Sequence, residues 1–337
     1  MTLRYFFAVL ATCSSGLLLA QLADTLAFTP EGHYPGGVAY RPADSTLFVS
    51  SLGDGTVGTV DLRGRYAVFS DDAGLISSAG MALDTVRNRL LVVAYDDSTG
   101  VRSTPETAGR LARLLVLDAT TGTTLYTHDL HELTRAPRSY GNAVALDTAG
   151  NAYVTDSYRP VIYRVTPEGE SSVFLRDPIF EKLDPESSAL ALDGIAYHSD
   201  GFLLVSNHER GRLYRIPLAD PTDFAEVPLP DTLPGLDDLL LFNDHQLAIV
   251  RTSADSTDSA VSEVTVITSY DGWQSARLTQ QLRPGSLLDP TGLVIVGDMV
   301  FVTNAHLRER AGGLAVRRAA RTFTFTIIDM PEGSGSR

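Results

Sequence analysis

One hydrophobic pattern recurs along this chain. A short apolar run leads through a polar turn into a second apolar run. Pro35-Gly36-Gly37-Val38-Ala39-Tyr40 turns into Leu47-Phe48-Val49, and Ala79-Gly80-Met81-Ala82-Leu83 turns into Leu90-Leu91-Val92-Val93. Asn142-Ala143-Val144-Ala145-Leu146 turns into Ala152-Tyr153-Val154, and Asp193-Gly194-Ile195-Ala196-Tyr197 into Phe202-Leu203-Leu204-Val205. The last two copies are Asp237-Asp238-Leu239-Leu240-Leu241 with Leu247-Ala248-Ile249-Val250, and Thr291-Gly292-Leu293-Val294-Ile295 with Val300-Phe301-Val302. Short apolar runs separated by Asp, Asn and Gly read as β-hairpins.

The copies start at Gly36, Ala79, Asn142, Asp193, Asp237 and Thr291, at steps of 43, 63, 51, 44 and 54 residues. Periods near ~40 to 50 residues with short strands mark propeller blades. A third strand follows each hairpin, seen best at 56–62, 114–118, 161–165, 212–216 and 263–268. A more polar fourth follows in most copies, as at 65–69 or 171–175. The expected fold is therefore all-β, a single six-bladed β-propeller of four-stranded blades over residues 21–331. Residues 23–28 are expected to complete the last blade beside an alternating strand at 321–328, because a ring must seal its sheet edges. Helical periodicity is not sustained anywhere. The nearest case, 104–113, reads as an insertion in the second copy. The Ser-, Asp- and Thr-rich stretch 253–262 reads as a loop insertion, and 332–337 as a flexible tail.

Hydrophobic residues make up 44% and charged residues 20% of the chain, enough for a packed core. The formal net charge is -14, and Lys182 is the only lysine. A field of that sign repels phosphate backbones and anionic lipid. Nucleic acid and membrane surfaces are therefore excluded as partners, and a small molecule bound by a monomer is expected. The same charge also serves plain solubility.

In a propeller the innermost strand of each blade lines the channel. Its start shares a rim with the end of its antiparallel partner. Three consecutive starts, Asn142, Asp193 and Asp237, bring an amide and two carboxylates to that rim. Hard oxygen donors suit a divalent cation, calcium first, and crowded carboxylates raise one another's proton affinity. Asp193 and Asp237 are thus the candidate catalytic groups. The competing reading is that Asp and Asn before a strand satisfy local turns. At the strand ends Asp156, Asn207, His208, Asn304 and His306 are expected at the same channel mouth. The remaining histidines read as structural or surface residues. No Ser-His-Asp order, phosphate-cradling loop or metalloprotease motif occurs.

The hairpins resemble the senescence marker protein/gluconolactonase (regucalcin-like) superfamily of six-bladed propellers. The best matches are 141–157, with Gly141-Asn142-Ala143-Val144-Ala145-Leu146-Asp147, and 192–203, with Leu192-Asp193-Gly194-Ile195-Ala196-Tyr197. Asp271-Gly272-Trp273-Gln274-Ser275-Ala276 resembles a segment of a little-characterised branch of that superfamily. The resemblance implies hydrolysis of lactones or related esters. It also implies a divalent cation held by a first-blade Glu, a middle-blade Asn and the next blade's Asp. Asn142 and Asp193 match the last two. Pro35-Gly36-Gly37-Val38 stands where a Pro-Glu-Gly run would be, Glu31 is out of register, and Asp237 brings a carboxylate from the following blade. The alternative is a non-catalytic propeller that binds a small ligand or protein at the mouth.

Residues 1–20 read as a secretory signal. Arg4 precedes an apolar run that ends in Leu17-Leu18-Leu19-Ala20. The competing readings are an uncleaved anchor and lipidation at Cys13, the only cysteine. A mature chain without Cys13 would exclude disulfides and thiolate chemistry. The expected location is periplasmic or extracellular. Mass spectrometry of protein from the native cell should find a chain beginning near Gln21; soluble protein that retains Met1 to Ala20 refutes this.

Overall fold

A computed structural model describes residues 24–184, 189–254, 260–310 and 320–330. The signal segment, Cys13 and the 332–337 tail lie outside these, as do 255–259 of the expected loop insertion. The described strands form six sheets. The first holds Pro35–Arg41, Thr46–Ser51, Val57–Asp61 and Tyr66–Ser70. The second holds Ser77–Asp84, Arg89–Tyr95, Arg113–Asp118 and Thr124–Asp129. The third holds Ser139–Leu146, Ala152–Asp156, Val161–Val165 and Ser171–Arg176. The fourth holds Leu192–His198, Phe202–Asn207, Arg212–Pro217 and Ala225–Glu226. The fifth holds Leu236–Asn243, Gln246–Ala254, Ala260–Thr268 and Arg277–Leu282. In the sixth, Pro290–Val296 and Met299–Asn304 are joined by Phe323–Asp329 and by Thr25–Phe28 from the N-terminal side.

The first-named strand of each sheet packs against that of the next, and the sixth returns to the first. The protein is an all-β propeller with four-stranded blades. The ring closes as expected: Thr25 to Phe28 pair antiparallel with Phe323 to Thr326. Pairing both chain ends in one sheet leaves no seam open between them.

Two refinements follow from pairing. Within the expected insertion at 104–113, Arg110–Leu111 adds a fifth, parallel strand to the third sheet at Ser139 and Tyr140. Much of 253–262 is not loop but ladder, with Thr252 opposite Ser262 and Ala254 opposite Ala260. Threonine and serine alternate there as readily in a hairpin as in a loop, so composition alone misled.

Cores lie between sheets, not within them. Phe48 and Val57 of the first sheet pack with Met81, Leu90 and Leu115 of the second. Tyr153 and Ile162 of the third pack with Leu192, Leu203 and Tyr214 of the fourth. Side chains stand perpendicular to a sheet, so each blade face buries against its neighbour. Trp273 is buried between the fourth and fifth sheets, with its Nε1 donating to the Asp244 carbonyl at 3.0 Å. The Asp271 carboxylate accepts from Ser275 Oγ and N, Ser269 Oγ and Gln274 N, which hold its pKa at about 2. This tryptophan segment is therefore a structural plug beside a hairpin turn.

Buried His33 shows a second such adjustment. Its Nδ1 lies 3.3 Å from the Tyr66 hydroxyl, its Nε2 has no partner, and burial pulls its pKa down to about 4. The unfolded chain takes up a proton near pH 6.5 that the buried ring refuses. The stability that neutral His33 contributes is thus complete above about pH 6.5 and drains as pH falls towards about 4. His33→Phe, which keeps a ring but does not titrate, should flatten the melting-temperature profile across that window. Parallel profiles would clear His33 of the effect.

Candidate functional site

Each channel-lining strand carries a register break near its start. The breaks fall between Pro35 and Val38, Ser78 and Met81, Gly141 and Val144, Leu192 and Ile195, Leu236 and Leu239, and Pro290 and Gly292. A bulge frees a residue from the ladder and re-aims its side chain. The freed positions include all six predicted starts: Gly36, Ala79, Asn142, Asp193, Asp237 and Thr291. All six line one cavity of about 420 Å³ at the mouth of the channel.

Sheets three to five form an acidic wall. Asn142 Nδ2 donates to Asp193 Oδ1 at 2.7 Å and to Ser157 Oγ at 2.9 Å. Ser157 Oγ in turn donates to the Leu192 carbonyl at 2.5 Å, which fixes the amide. Asp193 is 1% exposed, and its Oδ2 has no partner. Burial raises its pKa well above the usual carboxylate range, and the charges of Asp237 and Asp238 add to this. Asp237 is raised for the same reasons, burial first and then Asp238. Asp238 is raised to about 6 by burial, although it accepts from Leu293 N and Leu239 N. The groups that act most strongly on these acids are other acids, one amide and backbone N–H groups, with no basic side chain among them.

Sheets one to three form the opposite wall. Tyr95 and Tyr140 stack at 4.1 Å between ring centroids, and Tyr158 lies 5.2 Å from Tyr140. Arg310, from the short helix Leu307–Arg310, grips both Asp97 oxygens at 3.1 and 3.2 Å and donates to the Leu52 carbonyl at 2.8 Å. Asp97 and Arg310 were not legible from sequence because they come from loops of the second and sixth sheets. Asp238 was legible in principle, as the second half of an Asp-Asp doublet at a bulge.

The strand-end residues are a correction. None of Asp156, Asn207, His208, Asn304 and His306 lines the cavity. Asp156 accepts from Tyr140 N, Tyr158 N and Tyr163 Oη. Asn207 Oδ1 caps Arg210 N. Asn304 bonds Leu288 N, the Thr324 carbonyl and the Thr324 and Thr326 hydroxyls. His208 N–H and C=O tie neighbouring loops at Ala191 and Gly235. His306 sits edge-on to Phe323 with Nδ1 3.3 Å from Glu309. These residues lie at or just past the end of the second strand of a sheet, one layer out from the axis. Their side chains do not reach the cavity, whereas Tyr95, at the equivalent end in the second sheet, lines it.

A divalent cation fits the donor class of the acidic wall: amide and carboxylate oxygens, one of them buried and unpartnered. Among the described residues no three His, Cys, Asp or Glu side chains are gathered closely enough to hold a metal alone. The amide of Asn142 is thus needed in any such set. The first sheet has Gly36 at its bulge and so offers no side-chain donor there; a Cβ at that position would stand 2.7 Å from Leu52 Cδ2 and 2.9 Å from Ser50 Oγ, and both would have to shift. Gly36→Glu should destabilise the fold by about 1–3 kcal/mol through overpacking. Leu52→Ala in that background should recover part of the loss in chemical denaturation. A fully stable Gly36→Glu protein would refute the steric account.

No family profile and no curated protein matches the chain. Solved structures do match. A luciferin-regenerating enzyme aligns at 11% identity and TM-score 0.60, over 91% of this chain and 96% of that one. A calcium-binding regucalcin from Agrobacterium tumefaciens aligns at 16% identity and TM-score 0.59, over 88% and 91%. A putative gluconolactonase aligns at 14% identity and TM-score 0.54, over 91% and 94%. This chain thus has the propeller fold that the gluconolactonase and regucalcin structures share.

Proposed function

We propose that this chain is an exported, six-bladed, gluconolactonase-like propeller that hydrolyses lactones or related esters in the mouth cavity, assisted by a divalent cation. The observation that carries this reading is the Asn142–Asp193 contact, with Asp193 Oδ2 buried and unpartnered beside two further carboxylates. Buried carboxylates without a basic partner call for positive charge. Asn142, Asp193 and Asp237 would hold the cation, calcium first, since the similar regucalcin is described as calcium-binding. When bound, it supplies Lewis acidity towards the substrate carbonyl.

The chain's own residues do the rest. Burial raises the proton affinity of Asp193 and Asp237 above that of an ordinary carboxylate, the direction a general base needs. One of them takes a proton from water as its oxygen bonds to the carbonyl carbon. The same carboxyl returns that proton to the ring or ester oxygen as the C–O bond breaks. Asn142, fixed by Ser157, orients Asp193 Oδ1 and leaves Oδ2 to the water. The obstruction at Gly36 favours a second reading, a propeller that binds a small ligand there without turning it over.

Melting curves separate the two. Calcium at about 100 times its dissociation constant should stabilise wild type by about 2.7 kcal/mol. Asp193→Ala should lose most of that increment. Asp147→Ala, in the turn at the hairpin's far end, should keep it. If wild type gains nothing from calcium, magnesium, manganese or zinc, the metal-assisted reading falls and the ligand-binding one replaces it.

A further inference from the structure

Among the described residues, most polar groups in the half of the mouth cavity away from the acids are already hydrogen-bonded within the protein. The floor of this half is the bulged inner strands of the first three sheets, which present Gly37, Ala79, Met81 and Val144. Its sides are Leu52 and Leu307 with the tyrosine stack. Thr291 Oγ1 donates to the Gly36 carbonyl at 3.0 Å, and Gly37 N donates to Ser50 Oγ at 2.8 Å. Ser50 Oγ donates to the Ala79 carbonyl at 2.6 Å. Thr99 Oγ1 donates to Asp97 Oδ1 at 2.6 Å on one side residue further out, Asp97 itself holding the Arg310 fork. The Tyr95 and Tyr140 rings stack on each other, and burial raises both phenols.

A ligand that carries many hydroxyls would leave them unmatched against this surface, and unmatched buried polar groups are costly. A flat apolar body would instead gain contact with ring faces and methyl groups.

We infer that the ligand of this cavity is amphiphilic, with a carbonyl head at the Asn142–Asp193 end and an apolar, preferably aromatic, body against Tyr95, Tyr140, Met81 and Leu307. This rests on the mouth being the reactive site and narrows the substrate class from lactones in general to aryl or otherwise apolar ones. Polyhydroxylated sugar lactones are disfavoured. The volume of about 420 Å³ suits a compact bicyclic molecule.

The test compares two lactones of equal ring size, a benzo-fused δ-lactone and D-glucono-δ-lactone, together with the matching lactams, which resist hydrolysis. Calorimetry on the full mature protein should show the benzo-fused lactam binding at least about tenfold more tightly than the polyol lactam. The lactones should differ by a similar factor in kcat/KM. Leu307→Gln, at a position 39% exposed and so safe for folding, should narrow both ratios at unchanged melting temperature. Equal or tighter binding of the polyol lactam overturns the inference whether or not either lactone is hydrolysed. Absence of binding by both lactams overturns it as well. Preferred binding of the benzo-fused lactam with no turnover of either lactone leaves the inference standing and removes the hydrolase reading.

Discussion

The structure depends on how closely the channel-lining strands approach one another. At the level of the bulges there is no room for a side chain between neighbours. A Cβ on Gly194 would stand 2.3 Å from the Asp237 carbonyl, and one on Gly37 would stand 2.6 Å from the Ala79 carbonyl. Hydroxyls then stitch the strands together. Ser50 reaches the Ala79 carbonyl at 2.6 Å, Thr155 the Asp193 carbonyl at 2.7 Å, and Thr291 the Gly36 carbonyl at 3.0 Å. A bulge leaves backbone groups without ladder partners, and a buried carbonyl must find a donor. Glycine and a hydroxyl in the adjoining strand meet both demands at once.

The same arrangement builds the site. Bulged residues that are not glycine have nowhere to go but the channel, so Asn142, Asp193 and Asp237 converge without any loop having to move. Convergence in a poorly solvated place is what gives the acids their proton affinity: burial dominates, and mutual repulsion adds to it. Where the first two sheets carry Gly36 and Ala79 instead, the wall is apolar. The charge asymmetry of the cavity is therefore a direct consequence of which residue each repeat places at its bulge.

Loops complete what the repeats begin. Arg310 leaves the sixth sheet, holds the Leu52 carbonyl of the first and pairs with Asp97 of the second. It thereby ties three successive sheets at the mouth and settles its guanidinium, the one that lines the cavity among the described residues, on a carboxylate outside the acidic wall. A buried pair of this kind is weak evidence for stability but strong evidence for a fixed geometry, because either partner alone would be a buried unpaired charge.

Much of this was legible in the residues. Apolar hairpins at a repeating interval imply blades, since a strand pattern that buries both faces needs neighbours on both sides. The positions 142, 193 and 237 were legible as one register because the repeat itself carries the alignment. The closing strand before the first hairpin was legible from the need to seal an edge. What sequence could not decide was the direction of side chains one layer out. Asp156, Asn207 and Asn304 share a rim with the site residues along the chain, yet their side chains do not reach the cavity and instead cap backbone N–H groups or brace neighbouring strands. Nor could it place Tyr140, Asp97 and Arg310 around one cavity, since no local pattern links them. Period and polarity along a strand are local properties and survive in the sequence; which polar group faces the axis depends on bulge geometry and on the neighbouring sheet, and only the closed tertiary structure settles that.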